Sequence, residues 1–260
     1  MAKIEDIARH VAAKDITQGT RLNELLNRID IRKRFEDILG KKAPAFISSI
    51  LSLANANNSL KDCDPRSVIS SAAIAATLDL PINPNLGFAY IVPYSGVAQF
   101  QMGWKGFVQL GIRTGLYQTM NAAEIFDGEL VSHNRITGEI IIDETKRKSD
   151  KIFAYVSYFK LISGFEKYMF MTTDQVIRHA KKYSKSYDKQ NAPWQSSFDA
   201  MALKTVIKML LSKYGILSVE LEKAIQYDQG VVKETKDGES VVYPDSTTEV
   251  LQSQDNAQVS

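Results

Sequence analysis

Apolar positions recur at helical spacing through Leu22, Leu25, Leu26 and Ile29, and again through Phe35, Ile38 and Leu39, so the first fifty residues read as helical. Pro44 opens a further helix over about 45–55. Asp64 before Pro65 is an N-cap signal, and the alanine-rich run after it predicts a helix to about residue 78 whose small side chains favour close packing. Pro81, Asn83, Pro84 and Asn85 then break the helical pattern.

The period changes beyond that break. Residues 88–94 and 97–101 read as two strands joined at Ser95-Gly96, a tight hairpin turn. A short helix follows over 103–115, and strand-like runs come at 118–126, 139–143, 153–161 and 167–171, with turns at Thr137-Gly138 and Ser163-Gly164. Thr172 with Gln175 predicts a capping box that opens a helix to about 183. Ser196 with Asp199 predicts another for a helix reaching 212, with Gly215 at its end. The fold class is α+β: a helical N-terminal region, a compact antiparallel sheet with packed helices, and a C-terminal tail whose Ser, Thr, Gln, Asp and Glu content predicts disorder. The expected organisation is an N-terminal helical region at 1–60 that supplies oligomer contacts, a core at 61–226 and a flexible acidic tail at 227–260.

Composition excludes more than it identifies. No apolar run approaches bilayer length, and the N-terminus lacks the continuous apolar core of a secretion signal. Cys63 is the single cysteine, which fits a reducing compartment, and the expected location is the cytoplasm. The net charge of +2 conceals an uneven distribution. Residues 227–260 hold seven acids and two lysines, a balance of −5, which leaves +7 on residues 1–226. Residues 178–213 hold eight cations and two acids, a balance of +6, the electrostatic footprint of a nucleic-acid surface.

Three polar lines give that charge a pattern. Lys105, Gln109 and Arg113 fall at i, i+4 and i+8 on one arc of a helix that follows an acid-free stretch, either a phosphate grip or an ordinary solvated face. Arg178, Lys181, Lys182 and Lys185 repeat at i, i+3, i+4 and i+7, where like charges repel by a few tenths of a kcal/mol per pair. No acid lies between Asp174 and Asp188, so phosphate binding accounts for this stripe better than a solvated face. Lys204, Lys208 and Ser212 form a third line opposite Phe198, Ala202, Val206 and Met209. Trp194, after Pro193, is a candidate for stacking on a base and equally a candidate core residue.

Catalytic signatures are missing. There is no GxxxxGK[ST] or GxGxxG loop, and His10, His133 and His179 are scattered singly. The one enzyme-like feature is acidic. Asp127, Glu129, Asp143 and Glu144 lie on neighbouring strand-like segments, and Glu144-Thr145-Lys146 matches half of a metal-dependent nuclease motif, without the paired acids that would complete it.

ATLDLPINPNLGFAYIVPY, then QFQMGWKGFVQLGIRTG, then APWQSSFDAMALKTVIKMLLSKYGILS together resemble the RecT family of phage recombination proteins, from about Ile31 to Ala224. The resemblance implies a core like that of the β-β-β-α annealing proteins and a protein that binds single-stranded DNA and pairs it with its complement without ATP. It implies no catalytic residue, no metal site and no cofactor, with magnesium entering only as a modulator of DNA binding. It also implies a homo-oligomeric ring or filament on the annealed duplex, a phage 5′–3′ exonuclease and a host single-strand binding protein as partners, and no membrane. The expected DNA-binding residues are Lys105, Gln109, Arg113, Arg178, Lys181, Lys182, Lys185, Trp194, Lys204 and Lys208. A passive single-strand protector and a metal-dependent nuclease are the rival readings. The acidic tail reads either as a solubilising extension or as a competitor for the DNA groove.

Overall fold

The computed structural model describes residues 21–190, 192–235 and 238–246. They form two compact units: the described residues up to Gln101 together with Tyr227–Pro244, and Met102–Gln226 together with Asp245 and Ser246. The division falls within the 61–226 segment taken as one core from sequence. No described helix is long and apolar enough to cross a membrane.

The first unit begins with a helical turn at 21–26, where Leu22 and Leu26 are buried. Helix α1 (Ile29–Leu39) seats Phe35 in the core, and α2 (Ala43–Ala56) buries Ile47 and Ile50. Ile29, the last member of the first apolar series, is 86% exposed because the chain breaks before it and starts a new helix there. After the single turn α3 (Asn58–Lys61) comes α4 (Pro65–Thr77), with the Asp64 carboxylate accepting from Arg66 N–H at 3.0 Å as its cap.

The small residues of α4 have a specific purpose. Strands β1 (Ala89–Tyr94) and β2 (Val97–Met102) form a two-stranded hairpin, turning at Ser95 and Gly96, whose φ values of 48° and 83° fit a type I′ turn. Two strands alone leave backbone groups unpaired. The buried hydroxyls of Ser67 and Ser71 close that gap. Ala98 N–H donates to Ser67 Oγ at 2.7 Å, and Ser71 Oγ donates to the Ala98 carbonyl at 3.1 Å.

Composition predicted disorder from residue 227, but β8 (Val231–Thr235) and β9 (Gly238–Val242) pair antiparallel, and β8 packs against α4. Gln229 N–H donates to the Phe100 carbonyl at 2.8 Å, fixing the entry to this hairpin. Tertiary packing supplies what the segment's own apolar content does not. The rest of the expected tail, 247–260, lies outside the described residues.

The second unit is built on one antiparallel sheet of order β3-β6-β7, from β3 (Tyr117–Phe126), β6 (Ile152–Leu161) and β7 (Glu166–Thr172). Side chains alternate across it. On one face Ser157 Oγ donates to the Val206 carbonyl at 2.8 Å, which sets the long helix α8 (Phe198–Tyr214) against the strands. On the other, Ile125, Ala154 and Val156 pack with Ile140 and Leu130 from the small hairpin β4 (Leu130–His133) and β5 (Ile140–Ile142). Helix α5 (Trp104–Arg113) packs on α8 and β3, and α6 (Thr173–Tyr183) on β6 and β7. Gly111 permits the α5 contact, since a Cβ there would lie 2.5 Å from Met120 Cε. The short α7 (Pro193–Ser196) precedes α8, and α9 (Val219–Tyr227), unforeseen from sequence, follows it.

The capping box at Thr172 and Gln175 forms as predicted. The one expected at Ser196 and Asp199 does not. Ser197 is the N-cap of α8 without a side-chain bond, and the Asp199 carboxylate instead accepts from Tyr155 Oη at 2.5 Å.

The loop after β5 is held by Glu129. Its carboxylate accepts from Phe126 N–H at 2.8 Å and from Arg147 Nε at 2.7 Å, while the guanidinium lies 3.7 Å from the Phe126 ring centroid. Burial pushes the Glu129 carboxyl up, but these two donors outweigh it and hold it below the usual carboxylate range. Because the folded-state value is depressed, its stabilisation is complete above the unfolded value and is lost as pH falls through the folded one. Glu129→Gln should therefore lower Tm by a few degrees near neutrality, and the gap from wild type should shrink on acidification, as read by thermal melts from about pH 7 to about pH 3. A gap that stays constant with pH would remove the ion pair from this role.

Candidate nucleic-acid interface

Helix α5 buries Gly106, Phe107, Leu110 and Gly111, which leaves Lys105 and Arg113 exposed and Gln109 half-buried along its free edge. Lys105 Nζ lies 5.8 Å from the Trp104 ring centroid, so the indole borders the cation. The polar line read from sequence is present as a line, interrupted by Ile112 at 56% exposure.

Helix α6 buries only Val176 and Ala180, and its outward side carries Arg178, Lys181 and Lys182, with Lys185 exposed just past its end. Asp174 in the first turn and the lysines in the last complement the helix dipole, which offsets part of their repulsion. Aromatic rings accompany the cations: Lys182 Nζ is 5.3 Å from the Tyr183 ring and Lys181 Nζ 5.7 Å from that of Tyr187.

His179 shows that α6 and α8 bring their charges together. Its imidazole is half-buried and lies 4.5 Å, centroid to centroid, from the Tyr183 ring. Burial lowers its pKa below the ordinary value, and the positive fields of Lys208 and Lys182 lower it further. A lysine of α8 and a lysine of α6 thus act on one imidazole across the two helices. Sequence spacing within a helix cannot reveal such a meeting, and in the sequence His179 reads only as one of three scattered histidines.

Two expected site residues are placed differently. Lys204 is 4% exposed, so it is not presented to solvent. The cause is α8 itself, which buries Met201, Ala202, Leu203, Val206, Ile207, Leu210 and Leu211 because the sheet and α5 cover it from more than one side. A two-faced amphipathic reading fails for such a helix, and only toward its end do Lys208, half-buried, and Ser212, exposed, emerge. Trp194 is 6% exposed, its ring 6.2 Å from Tyr187 and 5.8 Å from Phe198. It is part of the core and offers no free face to a base. Among the described residues Phe153, Phe165, Tyr183 and Tyr214 have exposed rings, and the two tyrosines lie beside cations, Tyr214 flanked by Lys213 Nζ at 5.3 Å and Lys167 Nζ at 5.7 Å. Lys213-Tyr214 adjacency was the signal available for the second.

The acidic residues do not converge. Glu129 is committed to Phe126 and Arg147, and Asp143 accepts from Thr145 and pairs with Lys146 Nζ at 3.4 Å. Glu144 and Lys146 sit in a single exposed turn. Among the described residues no group of three or more His, Cys, Asp or Glu is placed to hold a metal ion. Cys63 is buried, and desolvation with the Asp62 charge pushes its thiol up to about 11, away from nucleophilic chemistry.

Comparison with known proteins accords with this geometry. The chain is 53% identical over 208 residues to a Bacillus subtilis (strain 168) protein named uncharacterized protein YqaK, covering 80% of this chain and 72% of that one. It is 28% identical over 179 residues to Protein RecT of Escherichia coli (strain K12), covering 65% of each. The family profile described as RecT family matches residues 44–242, and the chain therefore belongs to the RecT family, proteins of DNA recombination that bind and anneal single strands.

Proposed function

We propose that the chain grips single-stranded DNA along α6 and the end of α8, with the free edge of α5 as a further phosphate contact, and pairs it with a complementary strand without nucleotide hydrolysis. The observation that carries the proposal is the exposed cationic side of α6, free of acids from Lys181 to Lys185, with Lys208 of α8 near enough to act with Lys182 on half-buried His179. Cations held together by a buried frame gain by the arrival of an anion, and backbone phosphates supply one at every nucleotide whatever the sequence. Arg178, Lys181 and Lys185 extend the same surface. Tyr183 and Tyr214 take the stacking role first considered for Trp194, worth about 1–3 kcal/mol per base.

Annealing needs no coupled energy source. Forming duplex releases on average about 1.4 kcal/mol per base step, so the protein has only to lower strand repulsion and display bases for pairing. Adjacent protomers in a ring or filament lengthen the groove and retain the product. A 5′–3′ exonuclease supplies the strand, a host single-strand binding protein competes to coat it, and magnesium modulates binding by screening the same phosphates.

Two fluorescent complementary oligonucleotides, mixed with the protein in EDTA without ATP, should anneal faster than in its absence, with both strands intact and protein retained on the product. Protection without acceleration would instead identify a passive binder, and strands shortened on restoring magnesium would revive a nuclease.

The assignment of contacts is tested by salt titration of oligonucleotide affinity. Lys182→Ala and Lys208→Ala should each weaken binding and reduce the slope of log K against log salt by about 0.7, one single-strand phosphate contact. Lys204→Ala should leave the slope unchanged and appear as lost thermal stability. Unchanged slopes in folded Lys182 and Lys208 variants would place the strand elsewhere.

A further inference from the structure

Past the end of α6 the chain turns through Ser184, Lys185 and Ser186, and three donors of this turn meet one acidic residue from sixty positions later. Ser184 Oγ donates to Asp245 Oδ2 at 2.7 Å, and Ser186 N–H donates to Asp245 Oδ1 at 2.8 Å. Lys185 N–H donates to the Asp245 backbone carbonyl at 2.9 Å, and Ser184 forms an isolated antiparallel bridge with Ser246. Ser184, Ser186 and Asp245 are all buried, at 8%, 6% and 6% exposure.

A hydroxyl and an amide N–H directed at the two oxygens of one anion make a donor set that suits a phosphate as well as a carboxylate. The turn lies in a cationic stretch of the chain. Lys181, Lys182 and Lys185 are exposed within a few positions of it along the chain, against a single exposed acid in the same turn, Asp188. The carboxylate of Asp245 thus occupies donors just past the end of the α6 stripe, and it belongs to the acidic C-terminal segment.

We infer that the Ser184–Ser186 turn is a phosphate subsite for single-stranded DNA that Asp245 occupies in the free protein, so that the strand and the acidic segment compete for it. The inference rests on the strand-binding surface proposed above. It adds Ser184 and the Ser186 amide to the contacts and gives the C-terminal acids a regulatory role. Weak strands are excluded, while a strand with enough neighbouring phosphate contacts displaces the carboxylate. A purely structural clip would use the same bonds, but DNA would leave it closed.

Hydrogen–deuterium exchange on the full-length protein, with and without a poly-dT oligonucleotide, separates the two. DNA should slow exchange over 178–190 and speed it over 243–246. In the same chain Asp245→Ala should tighten oligonucleotide binding about threefold to tenfold, the factor expected for a site closed roughly two-thirds to nine-tenths of the time. Asp174→Asn, which removes a negative charge at the other end of α6, should change it little. Bound DNA that leaves 243–246 as protected as before, or an Asp245→Ala affinity equal to or weaker than wild type, overturns the subsite while strand binding itself stands. Failure of the wild-type protein to bind the oligonucleotide at low salt removes the surface and the subsite together.

Discussion

The burial of α8 against the β3-β6-β7 sheet is the constraint on which the second unit depends. Ser157 Oγ bonds to the Val206 carbonyl in mid-helix, and Tyr155 Oη bonds to Asp199 in its first turn, so the helix is fixed in both position and rotation. Its apolar residues face the sheet on one side and α5 on another, leaving polar positions little room. That is why Lys204 is enclosed and Lys208 is not. The same sheet anchors α6 through β7, so Lys182 of α6 and Lys208 of α8 both act on His179 from helices that share one support.

Rigidity gives the charge its effect. Packed helices limit how far these lysines can spread, and a bound anion lowers their mutual repulsion. The pKa of His179 is depressed first by burial and then by the fields of Lys208 and Lys182. Sequence-blind annealing calls for this kind of surface: phosphate contacts carry no base information, and the pairing energy comes from the DNA. The Asp245 contact extends the same logic, since a carboxylate already seated among these donors sets the threshold a strand must exceed.

Much of this was legible in the chain. Asp64-Pro65, Ser95-Gly96 and the Thr172–Gln175 box fixed their elements because each is a local signal, satisfied by residues within a few positions. The α6 stripe was legible for the same reason. Whatever needed a distant partner was not. Asp199 has the spacing of a capping residue but is taken by Tyr155, forty-four positions away. The β8–β9 hairpin lies in a segment too polar to fold alone and is ordered by α4. His179 looked isolated because Lys208, one of the two lysines that act on it, comes from another helix.

His179 is also the most direct reporter of the central claim, that α6 and α8 present one preassembled anion site. The measurement is its imidazole pKa by NMR titration, in the free protein and with a saturating single-stranded oligonucleotide. The account predicts a free value below the usual 6.5, held down by burial and by Lys208 and Lys182, and a rise when phosphates neutralise those lysines. A value that is ordinary in the free protein, or that DNA binding leaves unmoved, would contradict it.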